Sequence, residues 1–186
     1  EGNPDLVIDL YASTLEFHNY ADDVAGGLLR IQEAQNFLLD RFSWLRAGIV
    51  KPGIGRTQAE ERGRVPFGEK PDRKIRENGV WYAIDLTMNR DAGFYLDTRH
   101  LRQWLIRNMR GRSVLNTFAY TGSLGVVATA GGASRVVQLD LNCKFLNLAK
   151  ESYTLNGFPV HKGDFIAADF FPAIGKFKRA GETFDC

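Results

Sequence analysis

Cysteine is nearly absent. Cys143 and Cys186 are the only two in 186 residues, which excludes a disulfide framework, and their placement has no metal-ligand spacing. A reducing, cytoplasmic compartment is the expectation, with both thiols read as core residues. No apolar run approaches the roughly 18 residues of a membrane span. The start, Glu1-Gly-Asn-Pro-Asp5, lacks the basic residues and apolar stretch of a secretory signal. A phosphate-cradling loop is missing as well. Gly53-Ile-Gly55-Arg-Thr57 has no Gly-Lys-Ser/Thr ending and no strand and helix flanks, so it reads as a plain turn.

Hydrophobic residues make up 44% and charged residues 25%, ordinary values for a globular chain with one core, or one and a half domains. The net charge of +2 hides an uneven distribution. Between Arg46 and Arg76 there are nine Lys or Arg against four acids, and between Thr98 and Arg112 five Arg and no acid. These stretches together carry +10 and leave −8 for the rest. Such asymmetry suits a polyanion such as RNA, with Arg56, Arg62, Arg64 and Arg102 among the candidate contacts. Charge alone does not separate this from a solvated loop followed by a basic helix.

Leu6-Val-Ile-Asp-Leu-Tyr11 and Leu15-Glu-Phe-His-Asn-Tyr20 read as strands. Asp23 to Leu45 reads as a helix capped by Asp22 or Asp23, weakened at its start by Gly26-Gly27. Lys51 to Lys74, rich in Gly, Pro and charge, reads as a long loop or linker. Beyond the turn Glu77-Asn78-Gly79 come a strand over Val80–Leu86 and a helix from Thr98 to Met109, with Leu101, Trp104, Leu105 and Met109 as its apolar stripe. From Ser113 the chain alternates. Val114–Phe118, Arg135–Leu139 and Phe165–Asp169 read as strands, Gly122–Ala130 and Lys144–Asn156 as helices, and Thr183–Cys186 as the entry to a fourth strand. Strands alternating with helices of this length imply βαβ units and a parallel sheet.

Ligands of open parallel sheets bind at the carboxyl ends of the strands. Here the first such end carries Asn116-Thr-Phe-Ala-Tyr-Thr-Gly122, whose glycine allows close backbone approach and whose following helix start attracts a carboxylate. The second carries Asp140, suited to both hydroxyls of a ribose. The third carries Asp169 and Phe170, suited to an adenine amino group and to covering the base. A nucleoside with an amino-acid tail, such as S-adenosylmethionine, satisfies all three. A dinucleotide wants Gly-x-Gly-x-x-Gly, and bulky Tyr120 stands where its first glycine belongs. Singly, Asp140 is a common strand-end residue, Phe118 and Tyr120 could be core aromatics, and Asp169 a helix cap; order and spacing carry the argument.

Gly93-Phe-Tyr-Leu-Asp-Thr-Arg99, Val114-Leu-Asn-Thr-Phe-Ala-Tyr-Thr-Gly122, Gly131-Gly-Ala-Ser134, Val137-Gln-Leu-Asp140 and Leu155-Asn-Gly157 together resemble the 23S ribosomal RNA large-subunit methyltransferases, the group of cytosine-C5 and guanine-N7 enzymes. The resemblance is strong over residues 77–186 and weaker over Gly2-x-Pro4 to Tyr11. It implies an α/β fold: part of a Rossmann-like class I methyltransferase sheet over 77–186, preceded by a small central α+β domain over 1–50 and a basic linker over 51–76. It implies S-adenosylmethionine as cofactor and ribosomal RNA as partner. Asn116, Phe118, Tyr120, Thr121 and Gly122 would surround the methionine part, Asp140 and Leu141 the ribose, and Asp169 and Phe170 the adenine. Tyr95, Asp97 and Arg99 would lie across the pocket.

Three departures from the family pattern are mild: Thr98 for glutamine, Ala119 for serine and Ser123 for glycine. The family's PUA domain and Asp-Pro-Pro motif have no counterpart within these residues. The expectation is therefore a fragment, with the edge of the first sheet strand left exposed. The runner-up is a truncated, non-catalytic cofactor- or RNA-binding module. A third reading is methylation of a small molecule or protein.

Overall fold

The computed structural model describes residues 3–52, 62–68, 70–88 and 92–186. The chain divides into two compact units, Glu1–Ile75 with Asp85–Gly93, and Arg76–Ile84 with Phe94–Cys186.

In the first unit, β1 (Leu6–Tyr11) and β2 (Thr14–Asn19) form an antiparallel pair, and α1 (Val24–Arg41) crosses over to β3 (Ala47–Pro52), parallel to β2. Strand β4 (Arg64–Phe67) pairs antiparallel with β3, completing the order β1-β2-β3-β4. Alternation in β2 and β3 sends Leu15, Phe17 and Val50 to one face, where they bury against Ile31 of α1 and Leu45. Asp23 caps α1, its carboxylate accepting from the Ala25 amide at 3.2 Å. A Cβ at position 27 would overlap the Asn19 side chain, so glycine there leaves room for Asn19. Asn19 in turn donates to the Val24 carbonyl and accepts from the Ala21 amide.

Lys51–Lys74, expected as loop, contains the end of β3, all of β4 and the first residue of a further strand, β5 (Lys74–Glu77). Arg-Val-Pro-Phe has no alternation to show a strand, and its proline is tolerated because β4 is the last strand of its sheet. The turn Gly53-Ile-Gly55-Arg-Thr57 and Arg56 lie outside the described residues. Farther along, the Asp72 carboxylate accepts from the Ser13 amide, the Ser13 hydroxyl and the Thr14 hydroxyl, tying this segment to the β1–β2 turn.

In the second unit, β7 (Ser113–Thr117), β8 (Arg135–Asp140) and β9 (Phe165–Ala167) form a parallel sheet in that order. The intervening helices are α3 (Ser123–Ala130) and α4 (Cys143–Leu155), with α5 (Phe170–Ala180) after β9. The alternating pattern read from Ser113 onward is thus present element by element. Helix α2 (Arg99–Asn108), after a short 3-10 turn at Leu96–Thr98, packs Leu105 and Met109 with Val114, Val127, Ala128 and Val136. Its buried stripe runs through Arg102, Leu105 and Met109, whereas Leu101 and Trp104, expected to share it, are exposed. Positions 102, 105 and 109 follow helical spacing just as well, and it is the arginine that goes inside. Cys143 and Cys186, expected in the core, are both exposed. Cys143 opens α4 on its solvent side.

Strands β5 (Lys74–Glu77) and β6 (Val80–Ala83) form a two-stranded sheet. Strand β6 is fastened to α4 by side chains: Asn156 accepts from the Trp81 amide and donates to its carbonyl, and Ser152 Oγ accepts from the Ala83 amide. Beyond α5, Asp185 and Cys186 hydrogen-bond to Ser113 and Leu115 along β7. Residues 182–186 form no regular strand, but these bonds run along the edge of β7, which was expected to be exposed and is instead partly covered. The amide and hydroxyl of Ser113 both donate to Asp185 and hold its carboxyl below the usual range.

Candidate cofactor site

Three parallel strands end on the same edge of the second unit, which brings together the residues that follow them. The register sets Thr117 opposite Leu139, and Asp140 opposite Ala167. The turn after β7 is tight and uncommon: Phe118, Tyr120 and Gly122 have φ of 53°, 52° and 76°. Two non-glycine residues in the left-handed region cost free energy and persist only where neighbours hold them. The neighbours are identifiable. The Tyr120 amide donates to Asp140 Oδ2 at 2.8 Å, and the Ala119 amide to the Leu139 carbonyl at 2.9 Å. Asn116 Nδ2 donates to Gln138 Oε1 at 2.7 Å, and Gln138 Nε2 to the Gly122 carbonyl at 3.2 Å. Gln138 is fully buried and Thr121 nearly so.

Asp140 Oδ1 accepts from the Asn142 amide at 2.8 Å. Each carboxylate oxygen thus takes one backbone donor. The group is half-buried, and each oxygen retains acceptor capacity for a ligand hydroxyl. Beside it Leu141 is exposed. At the end of β9, the Asp169 carboxylate accepts from the Phe171 amide at 3.0 Å and caps α5, so the structure assigns Asp169 a cap role in its own right. Phe170 stacks on Phe118, centroids 5.1 Å apart and planes at 21°, although Phe118 is 72% exposed. The rings flanking the first and third strand ends therefore meet.

Tyr120 bridges the rest. Its ring lies 5.5 Å from Tyr95 and 4.5 Å, edge-on, from Phe145. Tyr95 is half exposed; Asp97 in the 3-10 turn and Arg99 at the start of α2 are exposed. Arg102 explains why that segment stays in place. Its guanidinium makes two hydrogen bonds to Glu77, at 2.7 and 2.9 Å, and donates to the Tyr95 carbonyl and the Thr98 hydroxyl. It also lies 4.0 Å from the Phe94 ring centroid. With no exposed surface and its donors committed, Arg102 cannot reach an RNA phosphate. This corrects the expectation placed on it, since a residue on a charged helix was read as solvent-facing from charge alone.

Sequence reasoning missed two contributors, Gln138 and Phe145, and gave a third, Arg102, the wrong role. Gln138 had a visible signal, an amide interrupting the apolar run of β8. Phe145 and Arg102 had none beyond their type.

Comparison with known proteins places this arrangement in a family. The S-adenosylmethionine-dependent methyltransferase family matches residues 67–185. This chain belongs to that family. Among curated relatives, the ribosomal RNA large subunit methyltransferase I of Photobacterium profundum is 38% identical over 68% of this chain and 32% of its own length. That of Aeromonas salmonicida is 38% identical over 100% of this chain and 47% of its own. The chain spans about half the length of the curated relatives it matches. In fold it is similar to a solved Streptococcus mutans protein described as a candidate S-adenosylmethionine-dependent methyltransferase, with TM-score 0.83 and 24% identity over 97% of this chain and 46% of that one. This methyltransferase family is named for its cofactor, and the strand ends offer what that molecule needs: carboxylate acceptors, aromatic faces and a close-approach glycine. No helix among the described residues is long and apolar enough to cross a membrane.

Proposed function

We propose that the protein methylates a base of RNA, namely 23S ribosomal RNA, using S-adenosylmethionine held at the ends of β7, β8 and β9. The observation that carries the cofactor part is the pairing of Asp140 with the Tyr120 amide, which joins the second strand end to the positive-φ turn of the first. In this reading Asp140 takes the ribose hydroxyls with Leu141 against the sugar, while Asp169 and Phe170 face the adenine. Asn116, Phe118, Tyr120, Thr121 and Gly122 enclose the methionine part, and Tyr95, Asp97 and Arg99 line the pocket's outer side. When bound, the cofactor supplies a methyl group on a positively charged sulfur. The chain's own contribution is orientation and exclusion of water, since in-line transfer gains most from positioning.

Replacement of Asp140 by alanine is expected to weaken binding of S-adenosylhomocysteine about thirtyfold, the scale of losing charge-assisted hydrogen bonds. Isothermal calorimetry measures it, and an unchanged affinity in a folded variant would remove Asp140 from the site.

The RNA part rests on the relatives, which are named for ribosomal RNA, and on exposed basic residues. Arg62 and Arg64 are exposed in the first unit, and Arg99, Arg107, Arg110 and Arg112 in the second. Arg56 keeps its proposed role from the sequence. Converting Arg62 and Arg64 together to alanine is expected to lower affinity for a 23S ribosomal RNA fragment and to reduce the slope of log affinity against log salt by about two. A slope that does not change shows these residues face solvent only. The reaction itself is tested by mass spectrometry of ribosomal RNA from cells lacking the full-length gene, where one methyl group should disappear.

A further inference from the structure

The face of the first unit's sheet turned away from α1 carries a buried group of charges that the cofactor site does not use. Cross-strand register puts Asp9 opposite Glu16, and His18 opposite Lys51. Glu16 and His18 are two apart on β2, so all four side chains share one face. The Glu16 side chain is 1% exposed and that of Lys51 0%. Lys51 Nζ lies 2.5 Å from Glu16 Oε1. The other oxygen, Oε2, faces His18 Nε2 at 3.6 Å and has no hydrogen-bond partner among the described residues. Asp9 Oδ2 lies 3.7 Å from the same nitrogen.

These separations are too long for hydrogen bonds, for which about 2.7–3.2 Å is usual. A buried carboxylate oxygen left without a donor is costly. The three atoms all lie within 4.8 Å of one another. An ion placed between His18 Nε2 and the facing oxygen of Glu16 or Asp9, 3.6 and 3.7 Å away, would lie about 2 Å from both atoms, close to the bond lengths of a zinc-type cation to imidazole and carboxylate.

We propose that Asp9, Glu16 and His18 form a binding site for a divalent first-row cation of the zinc type. Imidazole nitrogen with two carboxylates is a donor set such ions accept, with water in a fourth position. Asp9, whose side chain is about one-third exposed, provides the solvent-facing side of the site. Lys51 holds Glu16 by its far oxygen and so aims the near one at the ion. The ion ties the outer strand β1 to β2. Its role is structural, and it is independent of the cofactor site in the second unit.

Cobalt(II) is a suitable probe because its visible absorption reports coordination. The exposed thiols of Cys143 and Cys186 compete for it, so the titration uses the intact chain carrying Cys143→Ser and Cys186→Ser. The expected result is one saturable equivalent with the strong visible bands of a four-coordinate ion, displaced by zinc. Asp9→Asn, nearly isosteric at a partly exposed position, and His18→Gln should each weaken cobalt binding at least tenfold while leaving the far-ultraviolet circular dichroism unchanged. If His18→Gln fails to fold, Asp9→Asn decides alone. Absence of a saturable signal, or equal affinity in folded Asp9→Asn, overturns the site and leaves the group a buried ion cluster.

Discussion

Replacing Arg102 with methionine is expected to destabilise the second unit by about 3–5 kcal/mol, the cost of leaving one partner of a buried ion pair behind. Arg102 has no exposed surface, and the Glu77 side chain is only 15% exposed. Without the guanidinium, Glu77 loses two hydrogen bonds and its counter-charge, and the Tyr95 carbonyl and Thr98 hydroxyl each lose a donor. Urea unfolding followed by fluorescence measures the loss, and a change below about 1 kcal/mol is incompatible with the buried geometry. Arg102→Lys restores charge but not the planar fork, so it should recover only part. The pair Arg102→Met with Glu77→Leu separates two effects. Stability should largely return, because removing both charges avoids an uncompensated one. Cofactor affinity should stay low, because the Tyr95 carbonyl, though still accepting from the Thr98 hydroxyl, has lost the guanidinium that helps to fix the tyrosine beside Tyr120.

Arg102 also shows where the sequence stops being legible. Composition cannot tell an arginine that faces water from one whose fork closes on a carboxylate 25 residues earlier in the chain. The partner's identity is a tertiary fact. The order of strands and helices from Ser113 onward was legible because each element has its own period and punctuation, down to the hydrogen bonding of Asp185 and Cys186 along β7. Strand β4 was not, since four residues with one proline show no period and owe their pairing to β3. Helix α5 had legible signals: Asp169 caps its start and Gly181, at φ 67°, closes it. Gln138, Asn156 and Ser152 belong to a further class, polar residues whose bonds join elements. Sequence marks Gln138 alone as an anomaly in an apolar run, and names for none of the three what it joins.

Gly122 should tolerate no side chain. Alanine there is expected to cost about 2–4 kcal/mol and to abolish measurable cofactor binding, an effect built from two separate contributions. The first is backbone strain, since φ of 76° is left-handed and costs an L-residue about 1–2 kcal/mol. The second is space: a Cβ would lie 2.5 Å from the Ala149 Cβ and 3.1 Å from Gln138 Nε2. Ala149 is fully buried in α4 and has no rotamer with which to retreat, so helix and turn must separate. That movement lengthens the bond from Gln138 to the Gly122 carbonyl and, through Gln138, loosens Asn116. Asn116 and Tyr120 then lose their fixed positions together. Gly79 is the internal control. It has φ of 83°, but a Cβ added there would meet nothing within 4 Å, so Gly79→Ala should show the strain alone, with cofactor affinity intact. Thermal unfolding and calorimetry on both variants measure the difference. Equal losses in the two would mean that backbone strain, and not the approach of α4 to the turn, is what requires glycine at position 122.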